Sequence, residues 1–107
     1  MSIRDQACVT GIGETRYTRE TTRSQAELTF EAALAAIADA GLEPKDIDGV
    51  VPYVMGGVIA EDFITNFGRP DLRYSALTPM GGASSVAALQ NAALAVAGGL
   101  ANHVLIT

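Results

Sequence analysis

Residues 74–107 run for thirty-four positions without one Asp, Glu, Lys or Arg. A stretch that long with no charge has to be buried over most of its length, and its alanine content and 3.6-residue spacing predict a helix at its centre. Met80-Gly81-Gly82-Ala83-Ser84-Ser85 opens that helix. Free backbone N–H groups of a first turn beside small side chains are a common way to hold a developing negative charge. No cysteine, histidine or carboxylate lies in that turn to attack a substrate. The run approaches the length of a bilayer span. Ser84, Ser85, Gln90, Asn91, the alanine-rich composition and Gly98-Gly99 argue instead for a helix buried in protein, with no membrane span.

The rest of the composition narrows the partners. Twelve acidic and seven basic residues give a net charge of −5, and the cations at Arg4, Arg16, Arg19, Arg23, Lys45, Arg69 and Arg73 form no cluster. Nucleic acid is excluded as a partner on that ground, because a polyanion condenses onto a field of positive charge. A lone cysteine and a polar start, with no secretory signal, place the chain in a reducing, cytoplasmic compartment. Cys8 reads as a small buried hydrophobe within an apolar run.

Along the chain, residues 6–12 read as a short strand that ends in Gly11-Ile12-Gly13. A dinucleotide fingerprint needs a third glycine where Arg16 stands, and a helix at once, so that reading fails. Ser24 and Glu27 form a capping-box pattern. The helix they open carries Ala26, Phe30, Ala33, Leu34, Ile37 and Gly41 on one face, with Gly41 and Pro44 as stop signals. Val50, Val51, Tyr53, Val54 and Met55 predict a strand that Pro52 forces to be at an edge, bulged or shorter than it looks. Residues 60–67 form a short helix with Asp62 in its first turn, where a carboxylate is electrostatically favoured. Residues 72–77 extend. In the main helix Val86, Leu89, Ala93, Val96 and Leu100 share a face, and alanines keep the rest thin. His103 opens a final strand as a packed or capping side chain. The order implies an α/β fold with a mostly parallel sheet and helices on both faces.

Three pieces in this order resemble the thiolase superfamily, and most closely its lipid-transfer or sterol-carrier branch. They are Ala7-Cys8-Val9-Thr10-Gly11-Ile12-Gly13-Glu14-Thr15, then Ala38-Asp39-Ala40-Gly41-Leu42 with Pro44-Lys45-Asp46-Ile47-Asp48-Gly49-Val50, then Gly82-Ala83-Ser84-Ser85-Val86-Ala87-Ala88-Leu89 with Gly98-Gly99. The resemblance implies that residues 1–107 are the N-terminal segment of a thiolase-like domain, an incomplete fold. In that family a nucleophilic cysteine heads the buried helix, activated by the helix N-terminus and acylated by coenzyme A thioesters. That position falls on Gly82, which has no side chain to acylate.

Thiolase-like relatives without this cysteine include carbon–carbon lyases that cleave a β-hydroxyacyl-CoA by retro-aldol chemistry, and this is the activity the resemblance favours. The alternatives are an acyl-CoA acetyltransferase of the ordinary thiolase kind and a non-catalytic lipid-binding or structural subunit. Gly81, Gly82, Ala83 and Ser84 are the expected substrate-binding residues, with no catalytic residue and no metal ligand assigned. Coenzyme A enters as part of the substrate and no cofactor is expected. The implied partners are acyl-CoA, a second copy in a full-length homodimer, and a small acyl-CoA-binding protein. Residues 1–107 alone are expected to be inactive and poorly soluble, because apolar strands and helix faces are left uncovered. A cooperative thermal transition from a purified monomer of these 107 residues is the result that counts against that expectation.

Overall fold

A computed structural model describes residues 2–53 and 55–107. Its elements in chain order are α1 (Gln25–Asp39), β1 (Gly49–Val51), α2 (Ala60–Phe67), β2 (Tyr74–Ser75), α3 (Ser84–Ala97) and β3 (Val104–Ile106). The three strands form one parallel sheet in the order β2-β1-β3. Gly49 sits opposite Tyr74 on one side and Val104 on the other. Parallel pairing places the crossovers on the sheet faces, so β1 is covered on both sides and all three of its residues are buried.

Strand alternation divides the core. Val50 and Leu105 join Ala33 and Ile37 of α1 and Phe63 and Phe67 of α2 in one cluster. Phe30, Phe63 and Phe67 meet ring to ring there, at centroid separations of 5.0 to 6.0 Å. Val51 points the other way by the period of two, onto the side that α3 closes with Ala88, Ala92 and Ala95. The expected architecture, a parallel sheet flanked by helices on both faces and not closed into a complete fold, is therefore what forms.

Local signals account for the element boundaries. The Ser24 side chain accepts a hydrogen bond from the Glu27 N–H at 3.1 Å. The Glu27 carboxylate turns instead toward Arg23, with its oxygen 3.6 Å from Nε. Gly41, at φ +73°, turns the chain after α1. Asp62 accepts from the Ile59 N–H at 2.9 Å and so caps α2, the structural role its position suggests. Pro52 ends β1 at Val51, and the strand is central but short. Val54, part of the longer run expected there, lies outside the described residues.

Several expectations fail, each for a reason of packing. Residues 6–12 belong to no strand, and Val9 and Ile12 are 67% and 77% exposed. They lie against α1 rather than in the sheet, because Gly11 and Gly13 press onto the helix backbone. A Cβ on Gly13 would stand 2.3 Å from the Ala32 carbonyl oxygen, and one on Gly11 2.4 Å from that of Ala36. Cys8 is consequently exposed rather than buried. In α1, Leu34 and Ala26 face outward and leave Ala33 and Ile37 as the buried contacts. In α3, expected to be buried over most of its length, Val86 and Leu89 are 72% and 50% exposed, while Ala88, Ala92 and Ala95 approach the sheet. Small side chains bring the helix axis closer and gain more contact per turn than the larger stripe does. His103 is exposed at the start of β3.

One buried carboxylate ties the sheet together. Asp48 accepts from the Asn102 N–H at 2.9 Å and the His103 N–H at 2.8 Å through its side chain. Its backbone N–H donates to the His103 carbonyl at 3.2 Å, and its own carbonyl accepts from the N–H groups of Arg73 and Tyr74 at 2.8 and 3.2 Å. Asp48→Ala removes an ionised acceptor from two N–H groups and is expected to cost roughly 3 kcal/mol. Asp48→Asn keeps one acceptor oxygen and is expected to cost less, about 1 kcal/mol. Denaturant unfolding of the two variants, made in the polypeptide encoded by the complete reading frame that contains these residues, checks both values against the unsubstituted polypeptide.

Candidate functional site

In an open parallel sheet, ligands are held in the crevice beyond the carboxyl ends of the strands. Here that edge is formed by Pro52 and Tyr53 after β1, Thr107 after β3, and the turn leading into α3. The Tyr53 N–H donates to the Thr107 hydroxyl at 3.3 Å, which ties the two strand ends together. A crevice of about 400 Å3 opens beside them, lined by Gln25, Leu28 and Thr29 of α1, Tyr53, Gly56, Val58, Ser85 and Thr107.

The turn into α3 is built from small residues and held by a clasp. Gly81, at φ +60°, opens a single 3-10 turn over Gly81–Ala83, and α3 continues from Ser84. Ser84 is buried. Its hydroxyl accepts from the Met80 N–H at 3.0 Å, and its carbonyl accepts from the Thr78 hydroxyl at 3.0 Å. The N–H groups of Ala83 and Ser84 donate to the carbonyls of Met80 and Gly81. Much of the donor capacity of this helix end is therefore spent inside the turn.

Gly82 sits two residues ahead of the first residue of α3, on the solvent side. A Cβ built on Gly82 meets no atom within 4 Å, and its φ is not in the left-handed region. Glycine is thus not demanded here by the fold, in contrast to Gly11 and Gly13. The structure keeps Gly81, Gly82, Ala83 and Ser84 together at the head of α3, while the side chain that reaches the crevice is Ser85. Tyr53, Gln25, Thr29 and Thr107 are polar lining residues that sequence reasoning missed. The sequence placed Tyr53 and Thr107 within predicted strands; the structure ends those strands at Val51 and Ile106, which leaves both residues just beyond the carboxyl ends.

Charge is scarce around this edge. Among the described residues no group of His, Cys, Asp or Glu is arranged to hold a metal ion. Tyr17 has a pKa above its ordinary value because its hydroxyl donates to the Glu14 carboxylate, whose charge also opposes ionisation. Neither residue lines the crevice. Among the described residues no helix is long and apolar enough to cross a membrane.

The open space at position 82 and the clasp at position 84 make opposite predictions. Gly82→Ala is expected to leave stability unchanged or raise it by up to about 1 kcal/mol, since it only reduces the freedom of the unfolded chain. Ser84→Ala removes one of the two acceptors of the Met80 N–H, which keeps the Thr78 carbonyl at 2.8 Å, and is expected to cost about 0.5–1 kcal/mol. Thermal midpoints of the two variants, made in the polypeptide encoded by the complete reading frame, separate these outcomes.

Comparison with known proteins brings the site into a family context. No protein-family model matches the chain. It is 39% identical over 99 residues to the "Steroid side-chain-cleaving aldolase" of Thermomonospora curvata, covering 92% of this chain and 25% of that protein. It is 37% identical over 100 residues to the "17-hydroxy-3-oxo-4-pregnene-20-carboxyl-CoA lyase" of Mycobacterium tuberculosis, covering 94% of this chain and 26% of that protein. A chain of the solved "Ltp2-ChsH2(DUF35) aldolase" superposes with a TM-score of 0.81 at 38% identity, over 91% of this chain and 25% of that one. The chain thus spans about a quarter of the length of the relatives it matches. Over that quarter it is homologous to aldolases and lyases of the Ltp2-ChsH2 kind, in keeping with the lipid-transfer branch of the thiolase superfamily.

Proposed function

We propose that these residues form part of a thiolase-like lyase that cleaves a carbon–carbon bond of a β-hydroxyacyl-CoA by retro-aldol chemistry, with no cysteine nucleophile. The observation that carries the reading is Gly82. It stands two residues ahead of α3, the position on which the resemblance puts the attacking sulfur of thiolases, and it is free of any steric need to be glycine. Two relatives support it through their names, one an aldolase and one a CoA lyase.

In the proposed step a base takes the proton of the β-hydroxyl group. The bond between the α and β carbons breaks, the β carbon leaves as a ketone or aldehyde, and its bonding electrons pass to the thioester as an enolate. Protonation at the α carbon then releases a shortened acyl-CoA. Nothing in this sequence of events requires acyl transfer to the protein. The turn at Gly81, Gly82, Ala83 and Ser84 would stand against the thioester, and the space left at Gly82 would admit a branched acyl carbon. Ser85 is the crevice-lining hydroxyl adjacent to that turn. The crevice presents no carboxylate or imidazole to serve as the base, so the base is expected from residues other than those lining it. A homodimer and a small acyl-CoA-binding subunit are the partners that go with this reading.

The test uses the polypeptide encoded by the complete reading frame that contains these residues, incubated with a β-hydroxyacyl-CoA whose carbinol carbon is branched. Release of a ketone and a shortened acyl-CoA, with no mass added to the protein, is the expected outcome. A covalent acyl-enzyme with thiolytic cleavage would replace the lyase by a transferase, and tight binding without products would replace it by a carrier. Gly82→Cys is expected to raise KM for the branched substrate by about tenfold or more while the protein stays folded, because the added atoms enter the proposed acyl space.

A further inference from the structure

The crevice at the carboxyl ends of β1 and β3 is polar without being charged. Gln25, Thr29, Tyr53, Ser85 and Thr107 give it an amide and four hydroxyls, and Leu28 and Val58 give it the apolar part of its wall. The Thr107 hydroxyl accepts from the Tyr53 N–H. Among the described residues the other four side chains make no hydrogen bond within the chain, so their donors and acceptors stay available to a ligand. The volume of about 400 Å3 lies within the range of small-molecule pockets.

The absence of cations is a property of the elements that form the wall. The lining holds no Lys, Arg or His, α1 has no Lys or Arg between Gln25 and Asp39, and residues 74–107 have none. Arg23, the cation next to the start of α1, is ion-paired with the Glu27 and Glu31 carboxylates. A carboxylate or phosphate placed in the crevice would lose water without gaining a cation, which is unfavourable. The nucleotide end of coenzyme A is excluded on that ground, and an uncharged group is admitted. Sequence position joins the crevice to Gly82: the 3-10 turn over Gly81–Ala83 runs straight into α3, and residues three apart along such a turn share a side. Ser85 therefore stands on the same side as the open face of Gly82.

We propose that this crevice is the subsite for the leaving half of the substrate, the carbon skeleton set free as a ketone or aldehyde, and that Thr29 and Gln25 make it selective for a skeleton without charge. The inference rests on the lyase reading above and deepens it. With the thioester at Gly82, the β carbon passes the Ser85 hydroxyl. The skeleton beyond it lies between the hydroxyls of Thr29 and Tyr53 and the apolar side chains of Leu28 and Val58. Such a lining separates substrates of similar size by charge alone, because a carboxylate there has no partner and a methyl group needs none.

The test uses the polypeptide encoded by the complete reading frame and two thioesters that differ only at the far end, β-hydroxy-β-methylnonanoyl-CoA and its counterpart with a carboxylate on the terminal carbon. The value of kcat/KM is expected to be higher for the first by about a hundredfold or more. Thr29→Lys adds a cation to the wall and is expected to narrow that ratio by about tenfold or more, through a lower KM for the carboxylated thioester. Equal kcat/KM values for the two thioesters overturn the proposal, as does a ratio that Thr29→Lys leaves unchanged. Should Thr29→Lys not fold, Gln25→Lys, one turn earlier on the same wall, reads the same ratio. Failure of both variants to fold assigns the crevice to packed polypeptide and also overturns the proposal. If neither thioester is cleaved, the lyase reading fails by itself. The ratio of their dissociation constants, measured by calorimetry, then decides the charge selectivity of the crevice, and equal constants overturn it.

Discussion

The bonds that converge on Asp48 are the interaction on which the rest of the structure depends. A three-stranded parallel sheet of strands two or three residues long has few ladder bonds of its own, and parallel ladders gain little until several strands are paired. Asp48 holds β2 through its carbonyl and the start of β3 through its side chain, and its own residue leads directly into β1. One buried residue therefore sets the common register from which all three strands start. A carboxylate in that place is stabilised because every contact made to it is a backbone donor, so its burial costs less than that of an isolated charge.

That pinning at the amino ends has a consequence at the carboxyl ends. Once the strands start together, Tyr53, Thr107 and the head of α3 are delivered to one edge, and a crevice of modest size opens there. The turn from Met80 to Ser84 is held rigidly by the Ser84 and Thr78 hydroxyl bonds, yet Gly82 within it is unencumbered. Rigid backbone beside an open Gly82 is the feature on which the proposed thioester site draws. The same α3 that heads this crevice also lines a groove beyond β3 with Ala92 and Val96.

Much of this was legible in particular residues. Ser24 and Glu27 placed the start of α1, Gly41 and Pro44 its end, and Asp62 the start of α2, because caps and breakers act within four residues. Pro52 limited β1, although the sequence left open whether the strand was short or at an edge. The head of α3 was legible from Gly81-Gly82-Ala83-Ser84. Asp48 was not singled out, since the N–H groups it binds lie more than fifty residues away and no local pattern marks a carboxylate destined for burial. The exposure of Cys8, and of Val86 and Leu89 on a helix expected to be buried over most of its length, was misjudged for a related reason: apolar character says that a side chain prefers cover, not whether cover is at hand.

Sequence by itself determined the period of each element, its caps and breaks, the uncharged central helix and the absence of a thiol at position 82. These depend on near neighbours, through backbone sterics and first-turn hydrogen bonds. Tertiary structure alone decided which face of α3 meets the sheet, that residues 6–13 rest on α1 through Gly11 and Gly13 instead of pairing, and that Tyr53, Ser85 and Thr107 share a crevice. Those outcomes depend on how closely distant backbones can approach, a property of pairs of surfaces rather than of any one stretch of chain.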